Sequence, residues 1–452
     1  MMVSDQGAAA GRLAAANAAL AAGDLDGAVN EALGLIGSGG AEERRQARTV
    51  LDSVIDKSDL HRAALLARSR LSAESGDRVG AIKDAASAVT AAPKDAEANT
   101  LLSEQMAAVG RLDEAAMFSY EALKAAPGEV GRYAHLAAVL RRQKSFEATE
   151  ELLRTAVSLA PHEAALVAMR MDSLVQLRRL PEAIALGQEA RKRFPEDARL
   201  LRMLAAVLQL DGRDAETVAV LRDLQRIAPN DGYARHVLAS ATGGTPAKAD
   251  PDFVRVVFDM LAPRYDDLML GARSYRAPAL IAQAVRAHTA GKDLSVLDLG
   301  CGTGLCGLMV RDMAATLKGI DLTPAMAEYA RTTHIYDSVE VADAEAALAA
   351  DTALYDAVMA GDTLAYIGDV APLLALLKAH LKPGGVFVFS VEVTADGAPL
   401  RLTPAGSFAH GRGELERLAT AAGFTVAQMA AEKLRLVNGE PLRGVVGVLK
   451  SA

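Results

Sequence analysis

Tryptophan is absent from this chain, aromatic residues supply 4% of it, and there are two cysteines. With so few rings, any core must be packed from small and aliphatic side chains, which the 51% hydrophobic content supplies. Cys301 and Cys306 lie five apart in a glycine-rich stretch, a spacing that suits neither a disulfide framework nor a zinc site. The eight histidines never cluster with carboxylates, so no metal is expected. No apolar run approaches the roughly 18 residues needed to span a bilayer. The N-terminus also lacks a charged segment followed by an apolar one, so no signal peptide is expected. A reducing cytoplasm is the expected setting. An excess of positive charge is missing too: the net charge of −8 argues against a nucleic-acid surface, whose phosphates would be repelled.

What is present begins with a lattice. Pro93, Pro127, Pro161, Pro195 and Pro229 follow one another at steps of 34. Gly76, Gly110 and Gly212 share the period, with Lys144 and Arg178 in the two intervening slots. Ala81, Ala115 and Ala183 hold one phase, and Ala88, Ala122, Ala156 and Ala190 another. Small residues allow two helices to cross closely, and proline ends a helix because it cannot continue the hydrogen-bond ladder. The pattern resembles the tetratricopeptide repeat, a helix pair that stacks into an all-α superhelix. Five phased repeats span about 62–231, "GYARHVLAS" reads as the capping half-repeat, and the array as a whole covers 62–242. Residues 1–61 form a divergent helical region in which the lattice breaks, because Gly23 and Gly76 are 53 apart. Such an array offers a groove for a protein or peptide partner, and nothing in the sequence names that partner. His135, His162 and His236 lack ligand spacing and read as packing or surface residues.

"ATGGTPAKADP" interrupts the helical period, and 243–251 reads as a linker. From 252 to 452, short apolar runs such as "SVLDLG", "LKGIDL", "YDAVMAG" and "GVFVFSVE" alternate with helical stretches. That alternation predicts a mostly parallel sheet covered by helices. The last two runs are separated only by "NGEP" (438–441), too short for a helix, and should pair as an antiparallel edge hairpin.

"VLDLGCGTGLCG" carries two fingerprints at once. Gly302, Gly304 and Gly307 spell the G-x-G-x-x-G of dinucleotide binding, while Gly300, Gly302 and Gly304 after Asp298 spell a loop for S-adenosylmethionine. Both sites need glycine for close backbone approach, and both want an acid after the second strand, where Asp321 serves either. Asp298 separates them. A carboxylate at the mouth of the loop repels a pyrophosphate, whereas it can bond the ammonium of a sulfonium cofactor directly or through water.

With that, "VLDLGCGTG" resembles the first motif of class I S-adenosylmethionine-dependent methyltransferases. "GIDLTPAM", "VEVADAEAAL" and "YDAVMAGDTLAYIGD" resemble the second to fourth. The resemblance covers about 252–450 and implies a Rossmann-like, seven-stranded, mostly parallel sheet with an antiparallel edge strand. It implies S-adenosyl-L-methionine held by Gly300, Cys301, Gly302 and Gly304 of the loop. Asp321, Leu322 and Met326 would come from the second motif, with Asp321 on the ribose. In the third, Asp343 would meet the adenine amino group and Ala344 would lend its backbone. The full layout is similar to bacterial tetratricopeptide-repeat methyltransferases, akin to the Williams–Beuren-region methyltransferase-like proteins, on "VFDMLAPRYDDLMLGARSYRAP" and "LTPAGSFAHGRGELERLATAAGF". In that family the "YD" tyrosine, here Tyr265, approaches the methionine end of the cofactor; alternatively it belongs to an apolar helix face.

Methyl transfer is an in-line displacement that depends on positioning and sometimes on a base. The candidates are His410, on a loop after the fifth strand, Asp362 and Tyr366; Asp362 is equally readable as a helix N-cap. Arg264, Arg276 and Arg412 are candidates for meeting an acidic substrate. "AGDTLAY" lacks the Asn/Asp-Pro-Pro-aromatic tetrad of enzymes that methylate base or glutamine nitrogen. The expectation is a methyltransferase whose repeats recruit a small-molecule, carrier-bound or protein acceptor. The alternative is a non-catalytic scaffold that binds cofactor, and a nicotinamide oxidoreductase is a distant third.

Overall fold

The computed structural model describes residues 2–437 and 439–451, with side chains from residue 8 onward. The chain divides into two compact units, Met1–Ser173 and Leu174–Ala452, the boundary falling inside the helix Ala164–Gln176.

The helical half follows the proline lattice. First helices of the pairs start at Arg62, Ala96, Val130, Ala164, Ala198 and Gly232, and second helices at Arg78, Leu112, Phe146, Leu180 and Asp214. Every one of these steps is 34 residues. Each lattice proline falls in the turn after a second helix. Ala81, Ala88, Ala115, Ala122, Ala156, Ala183 and Ala190 are all buried, as close helix crossings require. The turn slot needs a left-handed backbone: φ is +84° at Gly76, +77° at Gly110 and +72° at Gly212, and Lys144 and Arg178 adopt +60° and +59° in the same position. The break in the lattice has a simple cause, since three helices (Met2–Ala22, Leu25–Gly37 and Ala41–Lys57) precede the first phased pair. No helix among the described residues is long and apolar enough to cross a membrane.

The α/β half is built on one seven-stranded sheet, with β1 Leu294–Leu299, β2 Ala314–Asp321, β3 Ser338–Val341, β4 Tyr355–Gly361 and β5 Leu381–Glu392 parallel. β6 Leu400–Leu402 and β7 Phe408–His410 form a separate two-stranded ribbon. β8 Phe424–Val437 and β9 Glu440–Ser451 complete the main sheet in the order β3-β2-β1-β4-β5-β9-β8. β9 runs antiparallel to both β5 and β8, which is the expected edge hairpin; Asn438 of its "NGEP" turn lies outside the described residues. Central strands are apolar on both faces because helices cover both. Leu297, Leu299, Val358 and Phe387 pack into one core, and Val296, Ala357, Val386 and Val388 into the other. The strand order reverses between β1 and β4, and a ligand crevice is expected at the carboxyl ends of those strands.

The linker is tied down. The amide of Ala249 donates to the carbonyl of Tyr366 at 2.9 Å, and that of Asp369 to the carbonyl of Ala247 at 2.6 Å. Within the second unit the final helices also grip the sheet domain. His236 donates from Nε2 to the carbonyl of Gly406 at 2.8 Å, and its ring lies 4.3 Å from that of Phe253. Gln176 donates to the carbonyl of Met260 at 2.8 Å.

Candidate active site

A cavity of about 620 Å³ opens at the carboxyl ends of β1, β2, β4 and β5, within the usual range for small-molecule sites. Its floor is the turn after β1. Gly300 (φ +67°) donates to the carbonyl of Ile320 at 2.8 Å, and a Cβ there would lie 2.4 Å from Thr363 Oγ1. Gly302 (φ +57°) differs, because a Cβ on it would meet nothing within 4 Å. Its open side faces the cavity, where a side chain would occupy ligand space.

Gly304 and Gly307 have another explanation. A Cβ on Gly307 would fall 2.4 Å from the Tyr336 hydroxyl, and one on Gly304 would fall 3.1 Å from the same ring. The final glycine of the dinucleotide spelling therefore makes room for a tyrosine of the protein, and the spelling says nothing about a pyrophosphate.

Asp298 requires a correction. It lies beneath the loop, 1% exposed, and does not line the cavity. The Tyr336 hydroxyl donates to its Oδ2 at 2.8 Å, while Oδ1 finds no hydrogen-bond partner among the described residues. Burial pushes its carboxyl up to about 7, although Tyr336 and the Gly307 amide pull in the opposite direction. A group so enclosed cannot greet an ammonium directly. Cys301 and Gly304 are also absent from the lining; the amide of Cys301 is engaged by Ile320 and its thiol is buried.

Asp321, Leu322, Met326, Asp343 and Ala344 all line the cavity. Asp321 ends β2, and each of its oxygens accepts an amide at 2.8 Å: Oδ2 from Gly302 and Oδ1 from Thr323. Burial raises its pKa, and those amides act against the rise. A carboxylate oxygen has a second lone pair, so Asp321 can still accept from a ribose hydroxyl. Asp343 caps the helix Ala344–Ala350 through Oδ1, and its Oδ2 meets Lys248 Nζ at 2.6 Å. Burial works to raise the Asp343 carboxyl, but the Lys248 ammonium and the helix amides outweigh it and hold it low. Lys248 comes from the linker and also contacts Glu345 at 2.9 Å. Sequence reasoning gave that lysine no role.

Tyr265, Asp362 and Tyr366 also line the cavity. Tyr265 follows the helix Pro251–Leu261 and a short 3₁₀ turn, and the Phe258 ring bridges it to Tyr366 at centroid distances of 6.1 and 5.2 Å. The next residue, Asp266, accepts from Thr303 Oγ1 at 2.5 Å and fastens this segment to the glycine loop. Asp362 does not cap a helix with its side chain. Its Oδ1 accepts from Ser390 Oγ at 2.7 Å and its Oδ2 is ion-paired with Arg435 of β8. His410 is a second correction: it belongs to β7, is 3% exposed, donates from Nε2 to the carbonyl of Leu364 at 3.0 Å and is absent from the lining.

The expected cations are displaced as well. Arg264, Arg276 and Arg412 do not line the cavity, whereas Arg273 and Arg435 do. Glu392, at the end of β5, lines it too, and burial raises its carboxyl while Arg435 opposes the rise. The position was findable, because the carboxyl end of a central strand beside the switch point is where ligands gather. The remaining wall comes from the helix Ala198–Leu210, which contributes Ala206, Gln209 and Leu210. The Tyr233 hydroxyl donates to Gln209 Oε1 at 3.0 Å and fixes that amide.

These residues fit a sulfonium cofactor. The open face of Gly302 leaves room for close approach, Asp321 offers acceptors to ribose, and the acids beside the loop suit a cationic ligand. Lys248, the cation on that side of the lining, is held by Asp343 and Glu345 and leaves no counter-charge for a pyrophosphate.

A methyltransferase domain family model matches residues 269–429. The ubiquinone biosynthesis O-methyltransferase of Thiobacillus denitrificans is 31% identical over 163 residues, covering 32% of this chain and 69% of the relative. Among solved structures, the magnesium protoporphyrin IX methyltransferase of Synechocystis PCC 6803, with bound S-adenosylhomocysteine, aligns with a TM-score of 0.35 and 15% identity over 45% of this chain and 99% of its own. The 1,6-didemethyltoxoflavin-N1-methyltransferase of Burkholderia thailandensis aligns with a TM-score of 0.37 and 20% identity over 46% and 92%. A tetratricopeptide-repeat protein with an unusual peptide-binding site aligns with a TM-score of 0.35 and 15% identity over 42% and 97%.

Proposed function

The chain belongs to the S-adenosylmethionine-dependent methyltransferases, and from that premise we propose that its cavity joins the cofactor to a small organic or carrier-bound acceptor. The observation that carries this reading is Asp321, braced by two amides beside the open face of Gly302. When bound, the cofactor supplies an electrophilic methyl carbon on sulfur and leaves as a neutral thioether.

The chain supplies the rest. Asp321 accepts the ribose hydroxyls, and Leu322, Met326 and Ala344 enclose the base alongside Asp343. Tyr265 and Phe258 exclude water from the reacting end, so orientation and desolvation provide much of the rate. An acceptor that loses a proton gives it to Glu392. That carboxyl has no ion-pair partner among the described residues, and its raised pKa makes it a stronger base than an exposed glutamate. Asp362, occupied by Arg435 and Ser390, positions groups instead of taking protons, and Tyr366 orders the acceptor.

The 34-residue helix lattice supports reading the first half as a tetratricopeptide array, laid out as in the bacterial repeat-containing group akin to the Williams–Beuren-region proteins, and a protein partner is the ligand such an array would recruit. A cytoplasmic setting, with Cys301 and Cys306 as free thiols, belongs to the same reading. Methyl-labelled cofactor incubated with the full chain and a size-fractionated extract tests the proposal. Label should pass to a small-molecule or carrier fraction, and its absence from every fraction would leave the second reading, a scaffold that binds cofactor without turnover. The enclosure of His410 and the pairing of Asp362 favour that second reading.

A further inference from the structure

The part of the lining that holds Tyr265, Arg273, Tyr366 and Arg435 carries more hydrogen-bond donors than its own residues use. Arg273 lines the cavity, is half-buried and forms no ion pair or side-chain hydrogen bond among the described residues. Burial disfavours its charge, the neighbouring Arg435 disfavours it further, and Tyr366, Tyr265 and Asp362 offset only part of this. The nearby carboxylate, Asp362, is already shared between Arg435 and Ser390. Nε of Arg435 is buried with no acceptor among the described residues, and Tyr265 and Tyr366 line the same cavity. A partly buried guanidinium beside a second cation, whose one nearby carboxylate is already paired with that cation, is costly unless a ligand supplies an acceptor.

We propose that this wall is a carboxylate site: Arg273 holds an acid group of the methyl acceptor, with the Tyr265 and Tyr366 hydroxyls completing its hydrogen bonds. The inference rests on the cavity being the site of methyl transfer. A planar carboxylate matches the two-pronged face of a guanidinium. The remaining lining, with Val254, Val257 and Met260, is apolar and suits the body of an organic acid. A phosphate is a poorer match, because a dianion would want a second uncommitted cation. Lys248, the other candidate on the lining, is held by Asp343 and Glu345.

Calorimetric titration of the full chain with benzoate and hexanoate, against benzamide, hexanamide and inorganic phosphate, tests it. Each is run with and without saturating S-adenosylhomocysteine. The acids should bind and the amides and phosphate should not. Arg273→Met should weaken acid binding about ten- to a hundredfold, as expected for a lost charge-assisted pair. Arg273→Lys should retain part of it and still prefer acids to amides. Thermal melts of both variants serve as the folding control, and S-adenosylhomocysteine affinity lost together with acid binding would assign Arg273 to the cofactor's own carboxylate and overturn the proposal. Amides or phosphate binding as well as acids, or Arg273→Met binding acids normally, would overturn the carboxylate site. A chain that binds acids but not S-adenosylhomocysteine would instead overturn the cofactor reading and leave the anion site standing.

Discussion

The hydroxyl of Tyr336 caps Asp298 beneath the glycine loop, closing at 2.8 Å over a carboxyl that burial pushes up to about 7. An acid whose folded pKa lies above its unfolded value binds protons preferentially in the native state. Its contribution to stability is complete below about pH 4 and is lost as pH rises through about 7. Asp298→Asn keeps an acceptor for Tyr336 and removes the titration. The variant should gain stability relative to the parent between about pH 5 and pH 8, by at most about 3 kcal/mol, because roughly two of the three pH units between the unfolded and folded pKa fall inside that window. Denaturant melts at the two pH values measure the difference, and parallel pH curves for the two proteins would contradict it.

Glu392 must be ionised to accept a proton. With its carboxyl raised by burial, the acid limb of kcat/KM should lie above the range of an ordinary glutamate, activity falling as pH drops through that raised value. Glu392→Gln should remove the limb and lower kcat about a hundredfold or more. A variant with an intact limb would assign the proton elsewhere.

Asp362 and Arg435 form a pair in which both side chains are 14% exposed. Removing one partner strands the other, at a cost of about 3 kcal/mol or more. Asp362→Asn should therefore be destabilised strongly, and the double variant Asp362→Asn, Arg435→Met should recover most of the loss. A thermodynamic cycle from chemical denaturation reads the coupling, and additive losses would show that the pair is not closed in solution.

Arg178 holds φ +59° in a turn slot where three other repeats place glycine. Arg178→Gly relieves a left-handed backbone at a partly offsetting cost in chain entropy, so it should stabilise by up to about 1 kcal/mol. Thermal melts check the sign.

Much of this architecture could be read in advance, and the reasons are local. The proline and alanine phases mark helix ends and crossings, so the 34-residue steps reappear as helix starts. Strands β1, β2, β4 and β5 are announced by apolar runs, and Asp321 and Asp343 sit where their motifs place them. Features made by pairings remote in sequence stayed hidden. Tyr336 meets Asp298 from 38 residues away, and Arg435 reaches Asp362 across 73. No periodicity predicts either contact. His410 looked like a candidate because loops after central strands carry chemistry; its chain instead closes a short ribbon that buries the ring. The linker composition signalled a helix break correctly but gave no sign that Lys248 would be drawn onto Asp343.

The central claim is that the open face of Gly302 and the braced carboxylate of Asp321 hold an S-adenosyl ligand. The most direct measurement is calorimetric titration of the full chain and of Gly302→Val with S-adenosylhomocysteine, with NAD as the comparison ligand. Saturable binding of S-adenosylhomocysteine, lost in Gly302→Val and not matched by NAD, is the predicted result. Binding that survives the valine, or tighter binding of NAD, would contradict it.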